Sequence, residues 1–266
     1  DKDTEVGLAT PPSPEEACLR SSLVPGMLEA ISKNLRYFDS FRMFEMAQVF
    51  LKGEYHESSE DETLPIHKKL LTGSIVGNNP KEIFYELKGV IENMASYTHM
   101  KDLTFTTECE KPSWADINAY LAIKLNDEII GYMALLSGKA VNDSKVKRTT
   151  GAIFGLDSDK LIPLESRTNK FKHISVLPSI EKDLSLIVDE SITWAEMTKY
   201  IKSKVSGLKF IEEYRGNQIP EGKKSITLRI TIENENTTLT SEEINSKLEA
   251  IVKTLNRMCG AILRDE

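Results

Sequence analysis

The sequence predicts an α+β chain in two units: an antiparallel sheet with helices, then a split βαβ sandwich. Three observations carry this. The last hundred residues read strand, helix, strand, strand, helix, strand, the order that lays two helices on one face of a four-stranded sheet. The first 165 residues mix strand-like runs, a hairpin and amphipathic helices, the pattern of a largely antiparallel sheet packed by helices. Between them, residues 163–170 (PLESRTNK) have the composition of a linker. A chain of 266 residues is long enough for both units.

Residues 1–18 are polar and broken by Pro11, Pro12 and Pro14, and read as a loop or a severed connection. The first unit then spans 19–165. After Pro25 and Gly26, Leu28, Ile31, Leu35 and Phe38 fall at helical offsets on one face. Residues 41–51 (FRMFEMAQVFL) are apolar on both alternating faces and read as a buried strand. The acidic, Ser-rich run 53–65 reads as a solvated loop. Residues 70–77 are strand-like. Residues 80–97 form an amphipathic helix through Ile83, Phe84, Leu87, Val90, Ile91 and Met94. Residues 119–125 and 128–136 make a hairpin around Asn126-Asp127, and 152–156 a short strand.

The second unit spans 171–266, with its first strand inside 171–189. Its helices open with Thr193-Trp194-Ala195-Glu196 and Thr240-Ser241-Glu242-Glu243. Both fit the capping box, in which a hydroxyl and a Glu three residues later satisfy free backbone donors. Ile244, Leu248, Ile251, Val252 and Leu255 give the second helix one apolar face. Between the helices lie strands 209–214 and 225–233. In the latter, Ile226, Leu228, Ile230 and Ile232 point one way and Ser225, Thr227, Arg229 and Thr231 the other. One sheet face thus packs on helices. The other is polar, suited to water or a ligand; folds of this shape use it for stacked bases, for enzyme sites or for small-molecule sensing.

Composition narrows the classes. Hydrophobic residues at 40% and charged residues at 28% describe an ordinary globular protein, and no apolar run is long enough to span a bilayer. The chain opens at Asp1 without an initiator Met or an apolar signal segment, so it reads as a piece of something longer. Cys18, Cys109 and Cys259 are odd in number and far apart, which fits a reducing cytosol. His56, His67, His99 and His173 make no metal-ligand spacing, and no metal site is expected. The net charge of −7 argues against coating nucleic acid by bulk electrostatics. Residues 171–266 hold 14 basic and 15 acidic residues, a net of −1, so this unit is nearly neutral.

Five segments, in order, carry a resemblance. Residues 19–28 (LRSSLVPGML) resemble L-R-T/S-S-L-L-P-G-L-L, and 42–50 (RMFEMAQVF) resemble R-L-F-E-I-G-x-V-F. Residues 84–89 (FYELKG) resemble F-F-D-L-K-G. Pro178 with 182–188 (KDLSLIV) resembles P-x-x-x-R-D-L-A-L-V-V. Residues 214–216 (YRG) through 222–225 (GKKS) resemble Y-R-G-x-x-I-x-x-G-K-K-S. Together they are similar to the C-terminal part of the β subunit of bacterial phenylalanyl-tRNA synthetases. The resemblance implies a class II synthetase-like antiparallel core that has lost catalysis, followed by a ferredoxin-fold anticodon-binding domain. It implies a catalytic α subunit as partner in an α2β2 heterotetramer, phenylalanine tRNA as ligand, and a cytoplasmic setting. It implies no cofactor in this chain, with ATP and Mg²⁺ serving the whole enzyme. It also makes the 28–38 helix a candidate for burial against the partner subunit, with burial of the same stripe in its own core as the alternative.

Within that frame the candidate residues fall into two groups. Arg42 and Glu45 match the opening of a synthetase motif strand. Residues 155–161 (GLDSDKL) look like a worn G-L-G-L-E-R-L, with Asp157 for the second glycine and Lys160 for the phosphate-holding arginine. Asp157 puts bulk and negative charge where a phosphate would approach, so no catalytic residue is expected. Asp157 and Asp159 have no base or nucleophile nearby, and no acid–base dyad is read there.

The second group surrounds the YRG turn. Tyr214 ends a strand beside a glycine and is placed either as a base-stacking platform or as a ring packed on its own hairpin. Glu212, on the same strand face if Ile211 packs inward, either accepts from a base amino group or is a solvated charge. Ser225 on the facing strand is placed at a base edge. Arg215, Lys223 and Lys224 flank the turn, as phosphate contacts or as a solvated tip. Trp194 is read as a packing residue. Two other classes compete: a ligand-sensing regulatory module, and a free-standing active synthetase.

Overall fold

The structure is a computed structural model that describes residues 5–55, 65–98, 100, 103–146, 149–162, 179–233 and 240–264. The chain forms two compact units, Asp1–Asn169 and Lys170–Glu266. The 163–170 linker reading falls outside the described residues, as do 56–64 of the acidic loop.

The first unit begins with two short strands, β1 (Val6–Gly7) and β2 (Cys18–Leu19), which pair antiparallel. The loop read over 1–18 thus contains a small ladder. Helix α1 (Val24–Asn34) starts with Pro25 in its first turn, where the missing N–H costs nothing. Its buried residues are Val24, Met27 and Ile31. Strands β3 (Phe41–Tyr55) and β4 (Pro65–Gly77) form a long hairpin. Helix α2 (Pro80–Tyr97) is capped by Asn79, whose side chain accepts from the N–H of Lys81 at 3.2 Å and of Glu82 at 3.4 Å. Strands β5 (Leu103–Thr106), β6 (Ala115–Leu125) and β7 (Glu128–Leu136), helix α3 (Gly138–Asp143), strand β8 (Thr150–Asp157) and helix α4 (Ser158–Leu161) complete the unit.

The six long strands make one antiparallel sheet in the order β3-β4-β8-β7-β6-β5. One face packs on α1: Met27 and Ile31 join Val76, Leu136 and Ile153. The other packs on α2: Ile83, Leu87 and Ile91 join Ile75, Met133, Ala152 and Leu156. The β6–β7 turn is Asn126-Asp127, both at positive φ, as a tight hairpin demands.

Two sequence expectations change here. Strand β3 is not a buried central strand but the edge of the sheet; Phe44 on its outer face is 77% exposed. An apolar run on both faces does not distinguish a covered strand from an edge strand with an unpartnered side. Helix α1 ends at Asn34, short of Phe38, which is exposed. Ile31 is fully buried and Leu28 and Leu35 pack on the same cluster. The stripe proposed for a partner is therefore spent on the unit's own sheet.

The second unit comprises β9 (Ile180–Asp189), α5 (Trp194–Ile201), a 3-10 turn (Lys202–Lys204), β10 (Gly207–Tyr214), β11 (Lys223–Ile232), α6 (Ser241–Cys259) and β12 (Ile262–Leu263). The sheet order is β10-β11-β9-β12, all antiparallel, which is the split βαβ sandwich. Both capping boxes form: the Thr193 and Thr240 hydroxyls accept from the N–H of Glu196 and Glu243, and each Glu accepts from its Thr N–H. Helix α6 stops at Gly260, which takes the left-handed conformation at φ 63°. The core joins Met197 and Ile201 of α5, Ile251 and Leu255 of α6, and Leu186, Ile226, Leu228 and Ile230 of the sheet. Trp194 packs edge-on against Phe210 at 5.4 Å, a packing role as read from sequence.

Candidate nucleic-acid interface

The face of the second sheet turned away from α5 and α6 is set by the register. Ile226, Leu228 and Ile230 face the helices, so Ser225, Thr227 and Arg229 face out. Their partners follow: Tyr214 lies opposite Ser225, and Glu212 opposite Thr227. Tyr214, Glu212 and Ser225 thus share the open face.

The reason differs from the one expected. Phe210 pairs with Leu228 on the helix side, and the register then shifts between Phe210 and Glu212. Ile211 is the extra residue of a β-bulge and is exposed; it does not pack inward. Without the bulge, Glu212 and Tyr214 would share Phe210's side and face the helices. The bulge inverts the alternation and turns them outward.

Tyr214 is 41% exposed. Its ring lies against Gly216, where any β-carbon would overlap the phenol ring. The glycine of the YRG segment is therefore required by this close approach. The Arg264 guanidinium sits 5.4 Å from the ring centroid, a cation–π distance. Arg264 is fixed in turn: its N–H donates to the Ser185 carbonyl at 2.9 Å and its Nη2 to Gln218 Oε1 at 2.7 Å. Sequence reasoning missed Arg264 and Gln218. The arginine follows a two-residue strand at the far end of the chain, and only the pairing of β12 with β9 brings it here. Gln218 stood inside the quoted hairpin, but nothing in the spacing distinguished it.

Ser225 is 1% exposed and its hydroxyl has no hydrogen-bond partner among the described residues. An unpaired buried hydroxyl costs about 1–3 kcal/mol. A ligand reaches it only if the covering side chains move. Glu212 is exposed.

The three flanking cations are engaged. Arg215 donates to Glu190 at 2.7 Å and to Glu213 at 2.5 Å. Those hydrogen bonds, Glu190 first, hold its guanidinium still more firmly protonated. Lys223 faces Asp189 at 3.3 Å. These three pairs are exposed or half-exposed and contribute little to stability, so either cation can exchange a carboxylate for a phosphate. Lys224 is a correction. Its position alternates with Ser225, so it points to the helix side; it is 7% exposed and pairs with Glu213 at 3.4 Å. Burial works against the ionised form of Glu213, but Arg215 and Lys224 outweigh it and hold this carboxyl below the usual range. Lys224 is a structural partner of Glu213 and does not share a surface with Tyr214.

The synthetase-motif residues of the first unit do not converge. Arg42 pairs with Glu86 of α2. Glu45 pairs with Arg20 at 2.8 Å on the other face of β3. Asp157 caps α4, accepting from the Asp159 N–H at 3.0 Å. Lys160 donates to the Ile129 carbonyl and reaches Glu128, both at 2.8 Å. Along β4, Arg42 lies opposite Ile75 and Asp157 opposite Leu70. Five residues of strand put them roughly 16 Å apart along the sheet, on opposite faces. Beside Gly155 the sheet face is filled by aromatic rings: Tyr132 stacks on Tyr120 at 6.2 Å and packs on Trp114 at 5.5 Å. Burial, then Tyr120, pushes the Tyr132 phenol up to about 12.

Residues 1–157 match the family model described as the phenylalanyl tRNA synthetase beta chain CLM domain. The chain belongs to the phenylalanyl-tRNA synthetase beta chain family. Residues 175–264 match a second model, the ferredoxin-fold anticodon binding domain. Among relatives of this family, the phenylalanine--tRNA ligase beta subunit of Clostridium acetobutylicum is 26% identical over 264 residues, covering 97% of this chain and 32% of that one. The Bacillus subtilis beta subunit is 28% identical over 280 residues, covering 99% and 34%. That of Geobacillus kaustophilus is 28% identical over 272 residues, covering 97% and 33%. The chain spans about a third of the length of these curated relatives. With the family in place, a small-molecule-sensing module is not the favoured reading of the split βαβ unit.

Proposed function

We propose that this chain is the C-terminal part of a phenylalanine--tRNA ligase β subunit, whose second unit holds the anticodon region of phenylalanine tRNA. The observation that carries the reading is the bulge at Ile211, which turns Glu212 and Tyr214 onto the open sheet face beside Ser225. Tyr214 offers a ring for stacking, fixed by Gly216 and Arg264. Glu212 supplies an acceptor for a base edge, and the unpaired Ser225 hydroxyl a donor once the side chains over it move. Arg215 and Lys223, at the rim, are the phosphate contacts. The first unit supports the catalytic α subunit in an α2β2 assembly in the cytoplasm. ATP and Mg²⁺ act on that subunit; Arg42, Glu45, Asp157 and Lys160 are all committed to internal partners.

The test is a binding experiment with the purified chain. Labelled phenylalanine tRNA should bind saturably, and free phenylalanine should neither bind nor compete. Saturable binding of the amino acid, with none of the tRNA, would replace this reading by a ligand sensor.

A further inference from the structure

The charges of the second unit are segregated. Residues 197–209 and 250–264 contain seven cations and no carboxylate, although the unit as a whole is nearly neutral. Two of the seven lie elsewhere: Lys209 on β10 and Arg264 just after β12. The other five lie on the helix layer: Lys199 on α5, Lys202 and Lys204 in the turn after it, and Lys253 and Arg257 on α6. All five are exposed.

Their positions converge. Lys204 Nζ donates to Thr254 Oγ1 at 2.7 Å, which pins the turn against α6. Thr254 stands between Lys253 and Arg257, themselves neighbours one helical turn apart. Lys199 is one turn before Lys202. The α5 and α6 core residues Met197, Ile201, Ile251 and Leu255 lie beneath in one cluster. The result is a cationic crest across the two helices.

The crest differs from the cations of the Arg215 turn and of β11. Arg215, Lys223, Lys224 and Arg229 each have a carboxylate partner. None of the five crest cations makes an ion pair with a described residue. The acids nearest in sequence are Glu196, taken up by its capping box, and Glu249, one turn before Lys253. Helix C-termini favour a cation, which accounts for Lys199 and Arg257. It does not account for Lys253, whose like charge one turn from Arg257 is unfavourable to the helix.

We propose that this crest is a second contact for an RNA phosphate backbone, independent of base sequence and on the opposite side of the unit from Tyr214. It rests on the reading of the unit as an RNA-binding module. Four of its five cations are lysines, point charges suited to phosphates. The large apolar side chain exposed among them is Met258; a protein interface would place aromatic anchors at its centre. The crest contributes counter-ion release, which the self-paired cations around Tyr214 supply poorly.

The test titrates the full chain against a fluorescein-labelled oligouridylate, and separately against phenylalanine tRNA, over a series of salt concentrations. The variants are Lys204→Gln/Lys253→Gln/Arg257→Gln and Tyr214→Ala, with circular dichroism to confirm that each is folded. Losing three phosphate contacts should flatten the slope of log K against log salt by about 2 for the single strand, on cognate and non-cognate tRNA alike. Tyr214→Ala should weaken tRNA binding and leave the slope in place. A triple variant with unaltered slope and affinity overturns the proposal. So does preferential binding of a polyglutamate peptide over oligouridylate, which would assign the crest to an acidic protein. If Tyr214→Ala is silent while the triple variant loses its slope, the anticodon platform fails and the crest stands.

Discussion

Strands β8 and β11 hold corresponding central places in the two sheets, and they are buried differently. Every residue of β8 from Gly151 to Leu156 is buried, on both faces. In β11, from Ile226 onward, buried Ile and Leu alternate with half-buried Thr and Arg. The first sheet is closed by α1 on one side and α2 on the other. The second has helices on one side only. Where a sheet is covered on both faces, as around β8, no surface is left for a ligand, and the motif residues of the first unit serve as caps and ion pairs. A sheet covered on one face keeps a surface, and there a single bulge decides which side chains are offered.

The largest effect that separates the units is expected at alkaline pH. The Tyr132 phenol titrates near 10.0 when unfolded and is pushed up to about 12 by burial. Its contribution is complete below pH 10 and is lost as pH rises through the folded value. A two-unit shift corresponds to roughly 2–3 kcal/mol. Tyr132→Phe should therefore resist alkaline unfolding of the first unit, followed by urea melts between pH 9 and about 12. Equal alkaline sensitivity of variant and wild type would mean that the phenol is not sequestered.

Next come two glycines that a tyrosine approaches. A β-carbon at Gly155 would lie 2.6 Å from the Tyr132 hydroxyl in the closed sheet. Gly155→Ala should cost about 1–3 kcal/mol in urea unfolding, less in a Tyr132→Ala background. Gly216→Ala meets Tyr214 on the open face, where the ring can swing away. It should cost RNA affinity and little stability; the reverse pattern would erase the distinction between the two sheets.

The smallest effect is at a helix start. Thr240→Ala should cost about 1 kcal/mol at neutral pH. The Thr240 N–H and hydroxyl hold the Glu243 carboxyl below its ordinary 4.5. The hydroxyl's share of that contribution is present above pH 4.5 and is lost as pH falls, so the gap between wild type and variant should narrow in acid to the loss of the hydroxyl's bond from the Glu243 N–H. A constant gap down to low pH would show that the hydroxyl contributes nothing through the carboxylate.

Much of this was legible in the sequence because it is local. The capping boxes, the 80–97 helix with its Pro80 start and the Asn126-Asp127 turn all depend on neighbours within a few residues. What escaped depends on the sheet. Edge position exposed Phe44 in a run read as buried. Alternation placed Lys224 behind the sheet, although its neighbour Lys223 is in front. Arg264 reaches Tyr214 only through the pairing of the last strand. The faces of Glu212 and Tyr214 were anticipated correctly for a mistaken reason, since a bulge cannot be counted from sequence spacing.

The central claim is that Tyr214 on the open face is where RNA is held. Its direct test is the affinity of the anticodon stem-loop of phenylalanine tRNA for the wild-type chain and for Tyr214→Ala, by fluorescence anisotropy at one fixed salt concentration. Loss of a stacking platform should weaken binding by about 1–3 kcal/mol, roughly 5- to 150-fold. Unchanged affinity in a folded Tyr214→Ala chain would contradict the account.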